Sequence, residues 1–212
     1  MRVMTWNVRS LRDDAAGVAR VIAGVAPDVV LVQEAPRLWR WRAACARLAR
    51  DAGLVVVTGG RPAAGNLVLC SLRVRVLSTQ DLLLPKRRGL HRRGAATAVL
   101  EVDGRRLSVL GTHLDLDPAA RLDSARRLRV SAYDVIGADV NEEADGAAWA
   151  ALSAGLVDTG AGQGATFSVR TPRRRIDGLF VSPSLQVRTA EVVECGPVSD
   201  HKPLVVDLVS PR

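Results

Sequence analysis

The order of segments along the chain predicts an α+β fold with packed sheets. Strand-like and helix-like runs are mixed without the strict alternation of a parallel α/β protein. Tight-turn signals, above all Asp103-Gly104, join neighbouring strand-like runs directly. The chain has 212 residues, 48% hydrophobic and 25% charged, a globular balance with enough length for a real core in one domain, 1–212.

The first strand is read at Val3–Val8, followed by a helix with Asp13 and Asp14 as N-cap candidates. Val18, Val21, Ile22 and Val25 recur at helical spacing, and Pro27 ends the helix. Asp28–Gln33 reads as a second buried strand with Glu34 at its end. Leu38, Trp41, Cys45 and Leu48 share one face of a second helix closed by Gly53, with its tryptophans assigned to packing rather than to ligand contact. Strands follow at Leu54–Val57, Leu67–Cys70 and Val74–Leu77, then a basic loop, Pro85–Gly94. Ala95–Val102 and Leu107–His113 form a hairpin about Asp103-Gly104. Asp117-Pro118 opens a helix by the N-cap and N1 preference, and Asp145–Ala154 reads as another. The remaining strands fall at Tyr133–Ala138, Ile176–Val181, Val187–Val193 and Leu204–Val209.

Composition excludes several classes. No apolar run approaches the roughly 20 residues of a membrane helix, so no integral membrane segment is expected. MRVMTWNVRS lacks signal-peptide architecture, which leads to an expectation of a cytoplasmic protein. Cys45, Cys70 and Cys195 match no metal knuckle and suit small buried side chains. The net charge of +8 favours polyanions. Its weight is reduced because every base except Lys86 and Lys202 is arginine, as a coding bias would produce. Aromatic residues are only 3%, which argues against a base-stacking platform. Nothing points to a protein partner.

Polar residues recur at the C-terminal ends of the expected strands: Asn7, Glu34, His113, Asp139 and Asn141, with Asp177 in RRRID and Asp200-His201 before KPLVV. Each alone is as well explained by a cap or a surface site. Together they suit phosphodiester hydrolysis, whose barrier must fall by on the order of 8–23 kcal/mol. Mg²⁺ takes oxygen ligands and keeps waters, so one or two carboxylates suffice. Glu34 is the first choice of ligand, with Asn7 in support. Asp139 can orient or deprotonate a water, and Asn141 can donate to the reacting phosphate. His201 can pair with Asp177, and His113 can donate to a non-bridging oxygen or the leaving group.

The motifs TWNV (Thr5–Val8), VQE (Val32–Glu34), GTHLD (Gly111–Asp115), ADVN (Ala138–Asn141), RIDGLF (Arg175–Phe180) and SDHKPL (Ser199–Leu204) come in this order. The chain thereby resembles the endonuclease/exonuclease/phosphatase superfamily over Thr5 to Leu204. The resemblance implies a four-layer αββα sandwich with two packed mixed β-sheets, a site at the top of the sheets, and one or two divalent ions, Mg²⁺ or Mn²⁺ as substitute. It implies that Asn7 and Glu34 hold metal, that Asp139 and Asn141 act on water and phosphate, that Asp177 and His201 form an acid–imidazole pair, and that Asp200 is a further metal or orienting carboxylate. Which member is the general base stays open. Two positions depart from the family: Ala138 replaces the glycine of GDxN, and Arg9 stands where abasic-site endonucleases have an aspartate.

An arginine cannot ligate a cation, so Arg9 is assigned to substrate phosphate. Arg93 in the basic loop and Arg174 and Arg175 beside Asp177 join it as phosphate-contacting candidates. The leading expectation is a nuclease. The alternative is a phosphatase or phosphodiesterase for a small or lipid phosphoester, and a third is a silent binding module, against which the complete residue set argues.

Overall fold

The computed structural model describes residues 1–209. Two six-stranded mixed sheets stack face to face, and helices cover both outer faces, giving the expected αββα layering. The first sheet contains β1 (Arg2–Asn7), β2 (Val29–Gln33), β3 (Val55–Gly60), β4 (Asn66–Cys70), β11 (Gln186–Val192) and β12 (Leu204–Val209), in the order β11-β12-β1-β2-β4-β3. The second contains β5 (Arg75–Leu83), β6 (Gly94–Val102), β7 (Arg105–His113), β8 (Val135–Asp139), β9 (Val157–Asp158) and β10 (Asp177–Val181), in the order β5-β6-β7-β8-β10-β9. One parallel pair lies at the heart of each sheet, β1 with β2 and β7 with β8. The other neighbours are antiparallel.

The strand pleat sorts side chains between layers. Val3, Val29 and Leu31 enter the core between the sheets with Val68, Ala98, Val109 and Leu179. Met4, Trp6, Val30 and Val32 alternate to the opposite face and pack with α1 (Ala15–Val25) and α2 (Trp41–Asp51). Leu110, Ile136 and Phe180 face α3 (Pro118–Leu128) and α4 (Ala147–Ser153), where Trp149 meets Phe180 edge-on at 5.2 Å.

Local chemistry explains the boundaries. Asp14 Oδ1 accepts the Gly17 N–H at 2.8 Å and caps α1. Asp117 caps α3 through Ala120 N–H at 2.8 Å, with Pro118 at its first turn. Glu142 Oε1 accepts the Ala148 and Trp149 N–H groups and so caps α4 from outside the helix. Asp103 and Gly104 both have positive φ, 51° and 77°, as a two-residue turn matching strand twist requires.

Three expectations change. Helix α2 begins at Trp41, so Leu38 and Trp39 lie outside it and are 78% and 89% exposed. The assignment of both to packing is therefore corrected, because the chain turns through a left-handed Arg40 before the helix starts. Strand β5 runs to Leu83, well past Leu77, because β6 offers a partner along its whole length. Short β9 had no sequence signal of its own and exists through pairing with β10.

The two sheets are in contact beneath the site. Gln33, buried in the inter-sheet layer, donates through Nε2 to Thr5 Oγ1 at 3.1 Å and to Gly137 O in the other sheet at 3.4 Å. A Cβ on Gly137 would stand 2.7 Å from Leu31 Cδ1 and 2.8 Å from Thr5 Oγ1. Gly137→Val is expected to lower stability by about 1–3 kcal/mol, as overpacking does. A denaturant midpoint shift of the full chain checks this, and an unchanged midpoint would show that the sheets separate freely.

Candidate active site

The two parallel pairs place their C-terminal ends at one rim. In β1 and β2 Asn7 lies in register with Gln33, and Glu34 follows directly. In β7 and β8 His113 lies in register with Asp139. Strand β10 runs antiparallel and begins with Asp177 opposite Asp139. Strand β12 runs antiparallel to β1, so the segment entering it delivers His201 to the same rim.

The side chains form a connected network. Asn7 Nδ2 donates to Asp139 Oδ2 at 2.8 Å and to Glu34 Oε1 at 3.2 Å. Its Oδ1 accepts the Arg9 N–H at 2.9 Å, so Asn7 bridges two carboxylates and faces no open space. His201 Nδ1 lies 2.8 Å from Asp177 Oδ2, and its Nε2 lies 3.8 Å from Asp139 Oδ2. His113 Nε2 stands 3.3 Å from Asp139 Oδ2 and 2.9 Å from Asn141 Nδ2. The Asn141 N–H donates to Asp139 Oδ1 at 3.0 Å. Glu34 and Asn141 both hold positive φ, 50° and 56°, a sparsely populated conformation for non-glycine residues that recurs at functional sites.

Burial and charge split the two histidines. Burial disfavours the cation of His201, but Asp177 and Asp139 outweigh it and raise its pKa to about 10. Burial depresses the pKa of His113, with Arg93 adding to the effect and Asp139 opposing it. Burial also works against ionisation of Asp139, yet the histidines and the bonds from Asn7 and Asn141 outweigh it and lower its pKa. Such separated environments assign different proton roles to like groups.

An open cleft of about 690 Å³ lies over this network. Glu34, His113, Asp139, Asn141, Asp200 and His201 line it, with Arg93 and Arg174 on its walls. Arg93 is mostly buried and lies 3.4 Å from Asp115 Oδ2, whereas the half-exposed Arg174 lies 3.7 Å from Glu143. Arg175 points elsewhere: it makes two bonds to Asp158, at 3.0 and 2.8 Å, and stacks over Trp149 at 4.6 Å. Its assignment to substrate phosphate is corrected, since its guanidinium is committed to Asp158 and does not line the cleft. Arg9 also departs from expectation, because Asp13 and Asp200 occupy its guanidinium at 3.0 and 3.4 Å.

Several supporting residues carried no separate sequence signal. Thr166 Oγ1 accepts the N–H groups of Ile176 and Asp177, fixing the strand entry. The Phe167 ring lies 4.8 Å from that of His201. Trp6 Nε1 donates to the His201 carbonyl at 2.8 Å, and Ser199 Oγ to the Asn7 carbonyl at 2.8 Å. Ser199 and Trp6 sit inside quoted motifs, but their partners lie far off in sequence.

The donor chemistry is compatible with a hard cation. Glu34 presents a carboxylate that is 40% exposed at the cleft. Asp177 Oδ1 and Asp200 Oδ1 are buried without a hydrogen-bond partner among the described residues. Ligand atoms of Asp139, Asp177 and His201 lie within 4.8 Å of one another.

Strand-end carboxylates and imidazoles facing one cleft between two sheets define a hydrolase-type site. The family model described as Endonuclease/Exonuclease/phosphatase family matches residues 4–201, and the chain belongs to that family, whose members are phosphoester hydrolases. Among solved structures, an endonuclease/exonuclease/phosphatase family protein from Bacteroides thetaiotaomicron superposes with TM-score 0.85 at 17% identity, covering 100% of this chain and 98% of that one. The mannosyl-6-phosphatase Bt3783 of the same organism gives TM-score 0.84 at 16% identity, covering 99% of each chain. D. rerio TDP2 complexed with single strand DNA product gives 0.76 at 19%, again with 99% of each chain covered. These likenesses establish the shared fold. No curated protein matches the sequence. No helix among the described residues is long and apolar enough to cross a membrane.

The raised pKa of His201 has a signed consequence for stability. A histidine whose folded pKa of about 10 lies above its unfolded value stabilises the fold fully below about pH 6.5, and that contribution is lost as pH rises toward 10. Thermal melts between pH 6 and 10 should show a steeper loss of Tm for the wild type than for His201→Asn. Parallel curves would mean that His201 is not held protonated.

Proposed function

We propose that this chain is a divalent-metal-dependent phosphodiester hydrolase acting on nucleic acid. The observation that carries the reading is the Glu34–Asn7–Asp139–His201–Asp177 network beneath an open cleft with arginines on its walls. Glu34 is assigned as metal ligand, with Asp200 as a further carboxylate. An ion seated among Asp139, Asp177 and His201 would compete with the 2.8 Å Asp177–His201 bond, which favours the Glu34 side of Asp139. A bound Mg²⁺, or Mn²⁺ in its place, would supply charge neutralisation at a phosphoryl oxygen.

The chain's own groups account for the remaining chemistry. Asn7 ties Glu34 to Asp139 and so spaces the two carboxylates. Asp139, held ionised, is assigned to orient the attacking water and take its proton. His201, kept cationic by Asp177, donates to a non-bridging phosphoryl oxygen as negative charge builds there. Asn141, whose side-chain amide meets His113 Nε2 and donates to the Leu114 carbonyl, positions the imidazole, and neutral His113 faces the leaving-group side. Arg93 and Arg174, which line the cleft, are assigned to hold substrate phosphate, whereas Arg9 and Arg175 do not line it.

A second reading is a phosphatase for a phosphosugar, favoured by the likeness to the mannosyl-6-phosphatase. Salt separates the two: a nuclease with several phosphate contacts loses affinity steeply as salt rises, and a pocket enzyme does not. Rates on a DNA oligonucleotide and on mannose 6-phosphate across a salt series therefore decide between them. His201→Ala is expected to lower kcat by about 10²–10³, the range of a lost oxyanion donor. The conservative His201→Gln should lose a comparable share of the rate while its circular dichroism stays that of the wild type, and full activity in His201→Gln would remove His201 from this role. Glu34→Ala should raise the Mg²⁺ concentration needed for half-maximal rate, and an unshifted titration would remove Glu34 as ligand.

A further inference from the structure

We propose that Trp39 is a stacking platform for one base of a single-stranded nucleic-acid substrate, and that the arginine groove behind it carries the next phosphates. The proposal rests on the nuclease reading and deepens it; the low aromatic content argues against a platform for several bases, whereas one exposed indole serves one base. Trp6 and Trp149 are 0% and 3% exposed, as core residues are, whereas Trp39 is 89% exposed and Leu38 beside it 78%. An indole left in water needs a reason, since burying it would stabilise the fold.

Its position supplies one. Pro36, Arg37, Leu38 and Trp39 line the same cleft as Glu34, Asp139 and His201, and exposed Leu116 also lines it. Trp39 also lines an adjoining groove of about 560 Å³, with Arg37, Arg40, Arg42 and Arg61. It is thus a ridge between the reaction centre and a basic channel. Arg37, Arg40, Arg42 and Arg61 have no carboxylate partner among the described residues, unlike Arg9 and Arg175. Arg40 lies 5.6 Å from the Trp39 ring and Arg42 lies 4.4 Å from that of Trp41, so cations flank aromatic faces along the path. A phosphate–base–phosphate sequence matches this order of carboxylate site, indole and guanidinium groups. A phosphosugar would use neither the ridge nor the channel. Leu38 and Trp39 also line the cleft that holds Glu34, Asp139 and His201, which ties them to the substrate rather than to a membrane surface.

The test compares a short oligothymidylate with an oligomer of the same length built of abasic sugar–phosphate units. Stacking is worth about 1–3 kcal/mol per base. Trp39→Ala should therefore raise KM on oligothymidylate by about 5- to 150-fold, leave the abasic oligomer unchanged, and be largely rescued by Trp39→Phe. In EDTA, where turnover is blocked, oligothymidylate should quench tryptophan emission of the wild type and far less that of Trp39→Phe. Arg40→Gln with Arg42→Gln should weaken both oligomers and flatten the salt dependence. Equal effects of Trp39→Ala on both oligomers, or none on either, overturn the platform alone. Failure of the wild type to cleave either oligomer overturns the nuclease reading with it. Loss of binding to phosphatidylglycerol vesicles by Trp39→Ala, with oligonucleotide kinetics intact, overturns the platform in favour of a membrane contact.

Discussion

The site depends on how closely two sheets can approach at one end. Each sheet has a parallel strand pair at its centre, and a parallel pair brings its two C-terminal ends to the same side. Stacking the sheets then brings four such ends together, those bearing Asn7, Glu34, His113 and Asp139. Gln33 fastens this approach from below by bonding across the layer to Gly137, where the missing side chain admits Leu31 and Thr5. The Asn7–Asp139 bond repeats the connection one level higher, so the link between sheets is also the link between halves of the network. Packing and chemistry share these residues.

The same architecture separates the titrating groups. His201 is enclosed with two carboxylates and becomes a cation, whereas His113 is enclosed beside Arg93 and does not. The two imidazoles flank the same Asp139, at 3.8 and 3.3 Å. Opposite tendencies thus arise on either side of one carboxylate. Asp200 contributes differently, since its pairing with Arg9 anchors the turn after β1 to the segment that delivers His201.

Much of this was legible in the sequence for a physical reason. Strand ends announce themselves as apolar runs broken by one polar residue, as in VMTW before Asn7 and VVLVQ before Glu34. Caps such as Asp117-Pro118 and turns such as Asp103-Gly104 are local chemistry and were read directly. What escaped was decided by orientation. Arg174 and Arg175 are adjacent and chemically alike, yet one faces the cleft and the other Asp158, a distinction set by a partner distant in sequence. Trp39 sits beside the helical pattern of Leu38 and Trp41 and reads with Trp41 as packing, and only the place where the helix starts leaves it in solvent. Thr166 could not be found at all, because its role lies in meeting the backbone of Asp177.

The left-handed backbone at Glu34 and Asn141 carries a wider implication. Each such conformation costs an L-residue about 1–3 kcal/mol, and glycine would adopt it freely. Both positions would thus be more comfortable occupied by the one residue type that has no carboxylate or amide to offer. The fold gives up some of its durability where these groups line the cleft, so selection for heat resistance alone would tend to replace them.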